Sequence, residues 1–337
     1  MILNNSTGFR SGRRAFIRNA AAALMTMAIP DAVLAAYGPK LKTLSLGLIT
    51  DLHHDIMHDA QDRLNVFLDA MKAARPNALL QLGDFAYPSE KNKPLINKFN
   101  QAHPIPLHVI GNHDNDNGFS HQQCVEVWKM PATYYSKVIN GYKLIVLNGN
   151  EKGSPTHKGG YPAYVGPDQT NWLKKELAAS RQPVIVICHQ PLVGYGSLDN
   201  AAEIQQILTS AKHKVVMTIN GHTHVDRLDY VGDIPYLTIN SASYFWVGGH
   251  FKHDSFTPEI HKAHPYICYT CPYDQSLFTL LKIDPVKKVI TLSGNQAKWV
   301  GKSPEELGFN EQKPFEAGKD IVPFIRDRSI PMGNIKL

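Results

Sequence analysis

The sequence predicts an α/β protein with a layered sheet, and two observations lead to this prediction. Between Leu44 and about Ser293, short apolar runs alternate with amphipathic or loop segments. In addition, 43% of the 337 residues are apolar, so the chain can bury a large core. Disordered chains and small disulfide-stapled scaffolds are therefore excluded, and one large domain or two modest ones are expected.

The predicted strands and helices follow one another in a regular order. Six apolar runs of strand length lie at residues 44–49, 78–82, 107–110, 144–147, 184–188 and 215–219. Further strands are predicted at residues 235–242, 277–283 and 289–292. Helices are predicted at residues 60–74 and 168–177, where apolar side chains recur at helical spacing. Arg75-Pro76 ends the first helix, because the residue before a proline avoids the helical conformation.

Two segments fall outside this alternation. Residues 248–274 are rich in His, Tyr and Pro, and we expect them to form an inserted lid or loop. Residues 301–337 have many Gly, Pro and charged residues with little periodicity. We therefore predict a folded domain of residues 37–300 with a C-terminal tail of residues 301–337 packed on it.

The first 36 residues have the pattern of an export signal. Four Arg between residues 10 and 18 precede a moderately apolar stretch that ends in Ala35 and Ala36. The pair Arg13-Arg14 resembles the twin-arginine motif. We therefore expect a transient contact with the twin-arginine export machinery and removal of residues 1–36. The mature protein would be periplasmic or extracellular in a bacterium, with no stable membrane span.

The net charge gives little support to nucleic-acid binding. The whole chain carries 35 Lys and Arg against 29 Asp and Glu, a formal charge of +6. Without residues 1–36, which hold four Arg and one Asp, the balance falls to +3. Because no run of five or more like charges remains, a nuclease would need a basic groove that the sequence does not show.

Polar side chains follow five of the six apolar runs, each at the point where the run ends. These side chains are Asp51 and His53, Asp84, Asn112 with His113 and Asp114, His189, and His222 with His224. Ligands bind at the carboxyl ends of strands in open α/β sheets, so residues distant in sequence would converge on one edge. The glycines before Asp84, Asn112 and His222 permit sharp turns there.

The oxygen and nitrogen donors among these residues predict a site for two metal ions. Two Asp, one Asn and four His, without a thiolate, suit Fe, Mn, Zn or Co rather than a structural zinc site or a calcium cage. Seven donors are too many for one tetrahedral ion and fit two ions that share a carboxylate. Two such ions can clamp a phosphoryl oxygen and hold a hydroxide for in-line attack, so a small phosphoester is the expected substrate.

In their order, these motifs resemble those of the calcineurin-like metallophosphoesterases. The family pattern of D-x-H, G-D, G-N-H-D/E, a lone His and G-H-x-H runs here from Asp51 to His224. The resemblance implies a four-layer α/β/β/α sandwich that hydrolyses phosphate esters with a hydroxide bound at a dinuclear metal centre. It places one ion on Asp51, His53, Asp84 and His224, and the second on Asp84, Asn112, His189 and His222.

The same resemblance implies roles for the residues beside the metals. His113 would contact the phosphate or protonate the leaving oxygen, and Asp114 would orient its imidazole. One feature departs from the pattern, because residues 83–87 also match the G-D-x-x-Y of purple acid phosphatases, in which the Tyr binds ferric iron. Those enzymes normally lack the His of D-x-H, so His53 and Tyr87 compete for one position. We expect His53 to bind the metal and Tyr87 to contact a ligand or the substrate.

Three functions remain open at this point. The combination of D-x-H with G-N-H-D resembles the cyclic-nucleotide and glycerophosphodiester branch more than the protein phosphatases, which favours a phosphodiesterase. The alternatives are a phosphomonoesterase of the purple acid phosphatase type and a non-catalytic exported protein that binds metal or phosphate. His113 and Asp114 argue against the binding protein, because metal binding alone does not require them.

The remaining His and Cys residues have less specific interpretations. Histidines outside the motifs, such as His121, are expected to be surface or hydrogen-bonded residues, and those of residues 250–264 belong to the possible lid. Cys268 and Cys271 are predicted to form a structural disulfide after export, with free thiols as the alternative.

Overall fold

A computed structural model describes residues 41–309, 315–333 and 335. The predicted signal segment, residues 1–36, lies outside the described residues. Among the helices in the described part of the chain, none has both the length and the apolar character needed to cross a bilayer.

The strands alternate with helices along the first two thirds of the chain. In chain order the strands are β1 (Leu44–Ile49), β2 (Ala78–Gln81), β3 (Pro106–His108), β4 (Tyr135–Ile139), β5 (Tyr142–Val146), β6 (Val184–Ile187), β7 (Val215–Asn220), β8 (Arg227–Val231), β9 (Ile234–Thr238), β10 (Tyr244–Trp246), β11 (Thr270–Pro272), β12 (Thr279–Asp284), β13 (Val289–Ser293) and β14 (Arg328–Pro331). The α-helices are α1 (Ala60–Ala74), α2 (Lys93–Gln101), α3 (His121–Trp128), α4 (Pro167–Ala179), α5 (Ala201–Ser210) and α6 (Pro258–Ala263).

Within the described residues, the strands form two six-stranded mixed sheets and one small ribbon. The first sheet has the order β14-β13-β12-β1-β2-β3, in which β1, β2 and β3 are parallel. The second has the order β4-β5-β6-β7-β9-β8, in which β5, β6, β7 and β9 are parallel. Strands β10 and β11 pair antiparallel in the ribbon. The parallel strands of each sheet therefore share one carboxyl edge.

Side chains of the second sheet alternate between two cores, as the two-residue period of a strand requires. Ile185 and Ile187 of β6 belong to the core that also holds the side chains of the first sheet. Val184 and Val186 of the same strand pack in a second core with side chains of α4 and α5. The two sheets thus face each other, with α4 and α5 on the outer side of the second sheet.

The first sheet carries helices on its own outer face. A side chain at Gly47 of β1 would collide with Met71 of α1, so this helix lies directly against the strand. Apolar residues of α1, α2 and α3 join the core of this sheet, among them Phe67, Phe99 and Trp128. Each such buried side chain contributes about 1.5–3 kcal/mol of transfer free energy. The predicted four-layer α/β/β/α sandwich is confirmed.

The nine predicted strands and both predicted helices are present, with bounds that shift by one or two residues in most cases and by up to four at the C-terminal end of β9. In the described part of the chain, four helices and five strands had no predicted counterpart: α2, α3, α5, α6, β4, β8, β10, β11 and β14. Residues 248–274, the expected lid or loop, contain α6, two short 3-10 helices and β11. The C-terminal segment includes β14, which pairs with β13 at the edge of the first sheet.

Candidate metal centre

The predicted donors lie directly after the parallel strands of both sheets. Asp51, Asp84 and Asn112 follow the carboxyl ends of β1, β2 and β3 in the first sheet. His189 follows β6, and the pair of histidines at 222 and 224 follows β7 in the second sheet. The facing sheets bring these strand ends together, so residues separated by up to 173 positions form one site.

The strand ends bring together two clusters, each with three side chains that could hold a metal ion. The first contains Asp51, His53 and His224, whose ligand atoms lie within 4.8 Å of one another. In it, His224 Nε2 is 3.2 Å from Asp51 Oδ1 and 3.2 Å from His53 Nε2. All three residues are buried. Three buried donors that face one another at these distances can hold one cation.

The second cluster contains Asp84, His189 and His222, again within 4.8 Å. Asp84 Oδ2 lies 3.2 Å from His189 Nε2 and 3.7 Å from His53 Nε2 of the first cluster. Its other oxygen, Oδ1, accepts a hydrogen bond from the backbone N–H of His113 at 2.8 Å. One carboxylate oxygen therefore faces both clusters, which is the position of a bridging ligand.

Unpaired polar atoms show that the site fits metal ions. Among the described residues, Asp51 Oδ1, Asn112 Oδ1 and His189 Nε2 are buried and have no hydrogen-bond partner. Asp51 Oδ2, by contrast, accepts hydrogen bonds from Thr50 Oγ1 and from the backbone N–H of His222. Because a buried polar group without a partner is costly, these atoms are placed for a cation.

The second ring nitrogen of two histidines fixes their orientation. His189 Nδ1 donates to Leu82 O at 2.9 Å, and His224 Nδ1 donates to Tyr244 O at 2.8 Å. Because Nδ1 of each ring is engaged by a carbonyl, Nε2 faces the clusters and is the nitrogen left to bind a metal. Metal-binding histidines are commonly oriented by such carbonyls.

The carboxylates of the site are held in the ionised form. Burial opposes ionisation of Asp51, but the nearby His224 and His189 outweigh it and lower the pKa of Asp51 to about 2. Burial likewise opposes ionisation of Asp84, and His189 and His113 place the pKa of Asp84 well below its ordinary value. Two buried anions that both lie within 4 Å of His53 Nε2 favour a bound cation.

Two of the histidines are neutral and ready to bind a metal. Burial lowers the pKa of His53 to about 3, and the same cause, with the neighbouring His189, lowers the pKa of His222 to about 3. Neutral imidazole is the form that coordinates metals. Both side chains can therefore act as ligands without first losing a proton.

The backbone at the site is strained. The two aspartates and three of the four histidines, all except His189, have φ between 47° and 73°, which is rare for residues other than glycine. Gly111 is required for close approach, because a Cβ there would overlap the backbone N and the carboxylate of Asp84. Such strain concentrates at functional sites, where the surrounding structure stabilises it.

His113 lies beside the clusters with a carboxylate partner that was not predicted. Its Nδ1 donates to Asp116 Oδ2 at 2.8 Å, and Tyr161 Oη donates to both oxygens of Asp116 at 2.9 and 3.0 Å. Although burial opposes it, the Asp84 carboxylate and the Asp116 hydrogen bond raise the pKa of His113 above its ordinary value. The other nitrogen, Nε2, is therefore the one that can give a proton to a substrate.

The prediction that Asp114 orients His113 is wrong. Asp114 Oδ1 accepts from the backbone N–H groups of Phe85 and Ala86, and Oδ2 accepts from those of Asp84 and Gly111, at 2.7–3.1 Å. Both oxygens of Asp114 are therefore used by backbone groups, and the imidazole of His113 bonds Asp116 instead. Asp114 joins the loops after β2 and β3 and so positions Asp84.

Tyr87 lies near the centre but outside the two clusters. It lines a small cleft with His53, Asp84 and His113, and its ring lies 6.1 Å from that of Phe119. Burial and nearby carboxylates raise the pKa of Tyr87 above its ordinary value, so the phenol is neutral. The structure thus has His53 within the cluster and Tyr87 at its border.

Three functional residues were missed by sequence reasoning. Asp116 lies three positions after His113, a spacing that could have suggested it. Tyr161 comes from the glycine-containing loop between β5 and α4, and no local signal connects it to His113. Tyr244 stacks on His53 with ring centroids 5.0 Å apart and orients His224 through its carbonyl.

The predicted disulfide is not formed. Cys268 and Cys271 are both free, as are Cys124 and Cys188. Cys271 is buried in a satellite apolar cluster, whereas the Cys268 thiol donates to Pro265 O. The antiparallel ribbon, in which Cys271 pairs with Phe245, therefore holds this segment without a covalent bond.

Comparison with known proteins places the chain among relatives with this fold. It is similar to a dimetal phosphatase from Danio rerio, with 13% identity and a TM-score of 0.54 over 77% of this chain and 99% of that one. It is also similar to GAP50, the anchor in the inner membrane complex of Plasmodium, with 14% identity and a TM-score of 0.54 over 87% and 90%. At these identities the likeness shows the fold alone.

At the level of sequence, a search of curated proteins finds no match to this chain. A family model described as calcineurin-like phosphoesterase matches residues 44–226, more than half of the chain. The matched region contains both clusters and His113. The chain belongs to the calcineurin-like phosphoesterase family.

Proposed function

We propose that this protein hydrolyses phosphate esters at a dinuclear metal centre formed by the two clusters. The observation that carries this proposal is the position of Asp84, whose Oδ2 faces both clusters and whose Oδ1 accepts from the backbone N–H of His113. When bound, two divalent ions would neutralise the phosphoryl oxygens and supply an activated water for in-line attack. The family match to phosphoesterases supports the same reaction class.

The residues of the chain would bind the ions, contact the phosphate and donate a proton. The two carboxylates and the four histidines, with Asn112, would hold the ions. His113 Nε2 would contact the phosphate and give a proton to the leaving oxygen, while Asp116 holds the proton on Nδ1. Tyr161 fixes Asp116, so the imidazole would be oriented before the substrate arrives.

We favour a phosphodiester over a phosphomonoester. The motif form D-x-H with G-N-H-D supports this preference, and Asn112 in place of a third carboxylate keeps the centre less negative. Two divalent ions, two aspartates and one hydroxide leave about one positive charge, which suits the single charge of a phosphodiester.

A non-catalytic binding protein is the second candidate. The Plasmodium protein named as an anchor has the same fold, so the fold by itself does not require catalysis. The hydrogen-bonded chain from Tyr161 through Asp116 to His113 favours the enzyme, because capture of a metal or a phosphate does not need an oriented proton donor.

Steady-state kinetics test both proposals. We expect the protein reconstituted with Mn, Fe, Zn or Co to hydrolyse bis(p-nitrophenyl) phosphate with a higher kcat/KM than p-nitrophenyl phosphate. A strong preference for the monoester would contradict the diester proposal. The absence of turnover by metal-loaded protein across a panel of phosphoesters would contradict the enzyme and favour the binding protein.

We also propose that the protein is exported by the twin-arginine machinery, on the basis of residues 10–36 alone. Fusion of residues 1–40 to a folded reporter tests this. Export that is lost when Arg13-Arg14 is replaced by Lys-Lys is the expected result, and export unaffected by that replacement would contradict it.

A further inference from the structure

A loop after β9 contacts the turn that carries two ligands of the first cluster. Residues 240–243, here called the serine loop, connect β9 to β10. The hydroxyl of Ser241 donates to Asp51 O at 2.9 Å, and the hydroxyl of Ser243 donates to Leu52 O at 2.8 Å. Both serines are fully buried. Two buried hydroxyls therefore bind the two peptide groups that join Asp51 to His53.

The turn from Asp51 to His53 has an unfavourable backbone conformation. Asp51 and His53 have φ of 51° and 47°, in the left-handed region that residues other than glycine rarely adopt. On one side, Asp51 N–H donates to Gly83 O and His53 N–H donates to Asp84 O. On the other side, the serine hydroxyls are the donors to the carbonyls of Asp51 and Leu52 in the described part of the chain. Loss of either hydroxyl would leave a buried carbonyl unpaired, which is costly.

The same loop reaches the third ligand of the first cluster. Tyr244 directly follows the loop, and its carbonyl accepts from His224 Nδ1 at 2.8 Å. The backbone N–H of Tyr244 donates to Ser241 Oγ at 3.3 Å, and that of Ser243 donates to the same oxygen at 3.0 Å. Ser241 Oγ therefore accepts two hydrogen bonds within this segment and donates one to Asp51 O. One hydroxyl connects the backbone groups that position Asp51 and His224.

The second cluster has separate supports. Asp114 accepts from the backbone N–H of Asp84, and Leu82 O accepts from His189 Nδ1. Within the described residues, the serine loop makes no hydrogen bond to Asp84, His189 or His222. Loss of the serine hydroxyls should therefore affect the two clusters unequally.

We propose that Ser241 and Ser243 are positioning residues for the metal ion of the first cluster. Their hydroxyls hold the turn from Asp51 to His53, and the residue after the loop holds His224, so one segment positions all three ligands. The inference rests on the proposed dinuclear centre, because it assigns the serine loop to one ion of the two.

Release of metal from the reconstituted full chain tests this proposal without requiring turnover. Wild-type protein, Ser241→Ala and Ser243→Ala are loaded with Co²⁺ and exposed to increasing chelator, and the retained metal is counted by mass spectrometry. We expect each serine variant to hold one ion about 10- to 100-fold more weakly, the size of effect expected for partners that orient ligands. The other ion should be held as in the wild type. Two unaffected ions, or equal weakening of both, would overturn the proposal.

Ser180→Ala is the matched control. Ser180 is also buried, and its hydroxyl donates to Gln182 O at 3.0 Å, before the amino end of β6 and so away from the edge that carries the metal ligands. This variant loses a hydrogen bond of the same kind and should retain both ions at wild-type affinity. Ser243→Cys, which keeps a weak S–H donor, should hold metal more tightly than Ser243→Ala. Metal loss in Ser180→Ala equal to that in the serine-loop variants would contradict a role specific to the loop.

A double-substitution cycle identifies the ion concerned. His53→Ala removes a ligand of the first cluster, and His222→Ala removes one of the second. The loss of metal affinity caused by Ser243→Ala should be small in the His53→Ala background and undiminished in the His222→Ala background, because only residues of one network couple. The reverse pattern would assign the serine loop to the second cluster and contradict the proposal.

Turnover of phosphoesters separates this proposal from the proposed function. Selective weakening of one ion in a protein that hydrolyses no phosphoester would contradict the enzyme and leave the positioning role supported. Hydrolysis by the wild type, with both ions held equally well in the serine variants, would support the enzyme and contradict the positioning role. A wild type that binds fewer than two ions would contradict both.

Discussion

Asp114 and Asp116 lie two positions apart and have different partners. Asp114 accepts four backbone N–H groups from the loops after β2 and β3, while Asp116 accepts from His113 and Tyr161. The sequence places both near the motif, but only the course of the loop decides which carboxylate reaches the imidazole. Because their contacts differ, substitution of Asp116 should affect kcat, whereas substitution of Asp114 should affect metal affinity.

Asp116→Asn should lower kcat by about 10- to 100-fold, because partners that orient a functional histidine have effects of this size. The loss should be greater for phenyl phosphate esters than for p-nitrophenyl esters, since the more basic leaving group depends more on proton donation from His113. Metal content, measured by mass spectrometry, should not change. A loss that is equal for both leaving groups would contradict the role of His113 as the proton donor.

Asp114→Asn, unlike Asp116→Asn, should weaken metal binding. The amide nitrogen would face backbone N–H groups that now donate to a carboxylate, so the loop that carries Asp84 would move. We expect about a 10- to 100-fold loss of metal affinity, measured by competition with a chelator. Unchanged metal affinity together with a lowered kcat would show that Asp114, rather than Asp116, serves His113.

Tyr87 provides a spectroscopic test of the ligand set. His53 Nε2 occupies the cluster, and the phenol of Tyr87 is kept neutral by burial. Iron-loaded wild-type protein should therefore show no tyrosinate charge-transfer band in the visible spectrum. A visible band that disappears in Tyr87→Phe would establish Tyr87 as a ligand and contradict this arrangement.

At the scale of elements, the site depends on how closely two strand ends approach. A Cβ at Gly111, directly after β3, would overlap the backbone N and carboxylate of Asp84 after β2. Gly111→Ala should therefore lower the free energy of unfolding by about 1–3 kcal/mol and weaken metal binding. Urea unfolding measures the first effect and chelator competition the second.

The control for this prediction is Gly249→Ala. A Cβ at Gly249 would have its nearest neighbour at 3.7 Å, an ordinary contact, so this variant should resemble the wild type. Wild-type stability and metal affinity in Gly111→Ala would mean that the two loops do not need their close approach.

Elements with strong local patterns were predictable from the sequence, whereas others were not. Strand β1 and helix α1 have the predicted bounds, because their apolar periodicity is clear. Helix α3 was missed although Ser120 and Gln123 form a capping box, a signal that is present in the sequence. Strand β14 has four residues and pairs with a distant strand, so only the tertiary contacts reveal it.

The candidate site was predictable for a related reason. Its donors follow apolar runs in a fixed order, so the pattern identifies them without the structure. Tyr161 and Tyr244 could not be predicted, because each reaches the site through a long-range contact with a histidine. Asp116 was missed because its neighbour Asp114 matched the family pattern.

At the scale of the whole molecule, the C-terminal segment is anchored to the loop that carries His222 and His224. Asp226, two residues after His224, is buried and accepts from Arg326 Nη1 at 2.7 Å and from Arg328 Nη1 at 2.6 Å. Arg328 begins β14, at the edge of the first sheet. The ion pair between Asp226, just before β8 of the second sheet, and Arg328 in β14 of the first sheet therefore connects the two sheets.

Arg328→Met should lower the free energy of unfolding by about 3 kcal/mol, because it removes one partner of a buried carboxylate. Denaturant unfolding compared with the exposed control Arg181→Met, which should stay within about 0.5 kcal/mol of wild type, measures the difference. Equal stability of the two variants would mean that Asp226 does not hold the C-terminal segment.

Metal stoichiometry tests the central claim most directly. After reconstitution and dialysis, mass spectrometry should find two metal ions per chain in the wild type and in the exposed control Asp69→Ala. Asp84→Ala should retain less than one, because it removes the oxygen that faces both clusters. Two ions retained in Asp84→Ala, or fewer than two in the wild type, would contradict a dinuclear centre bridged by Asp84.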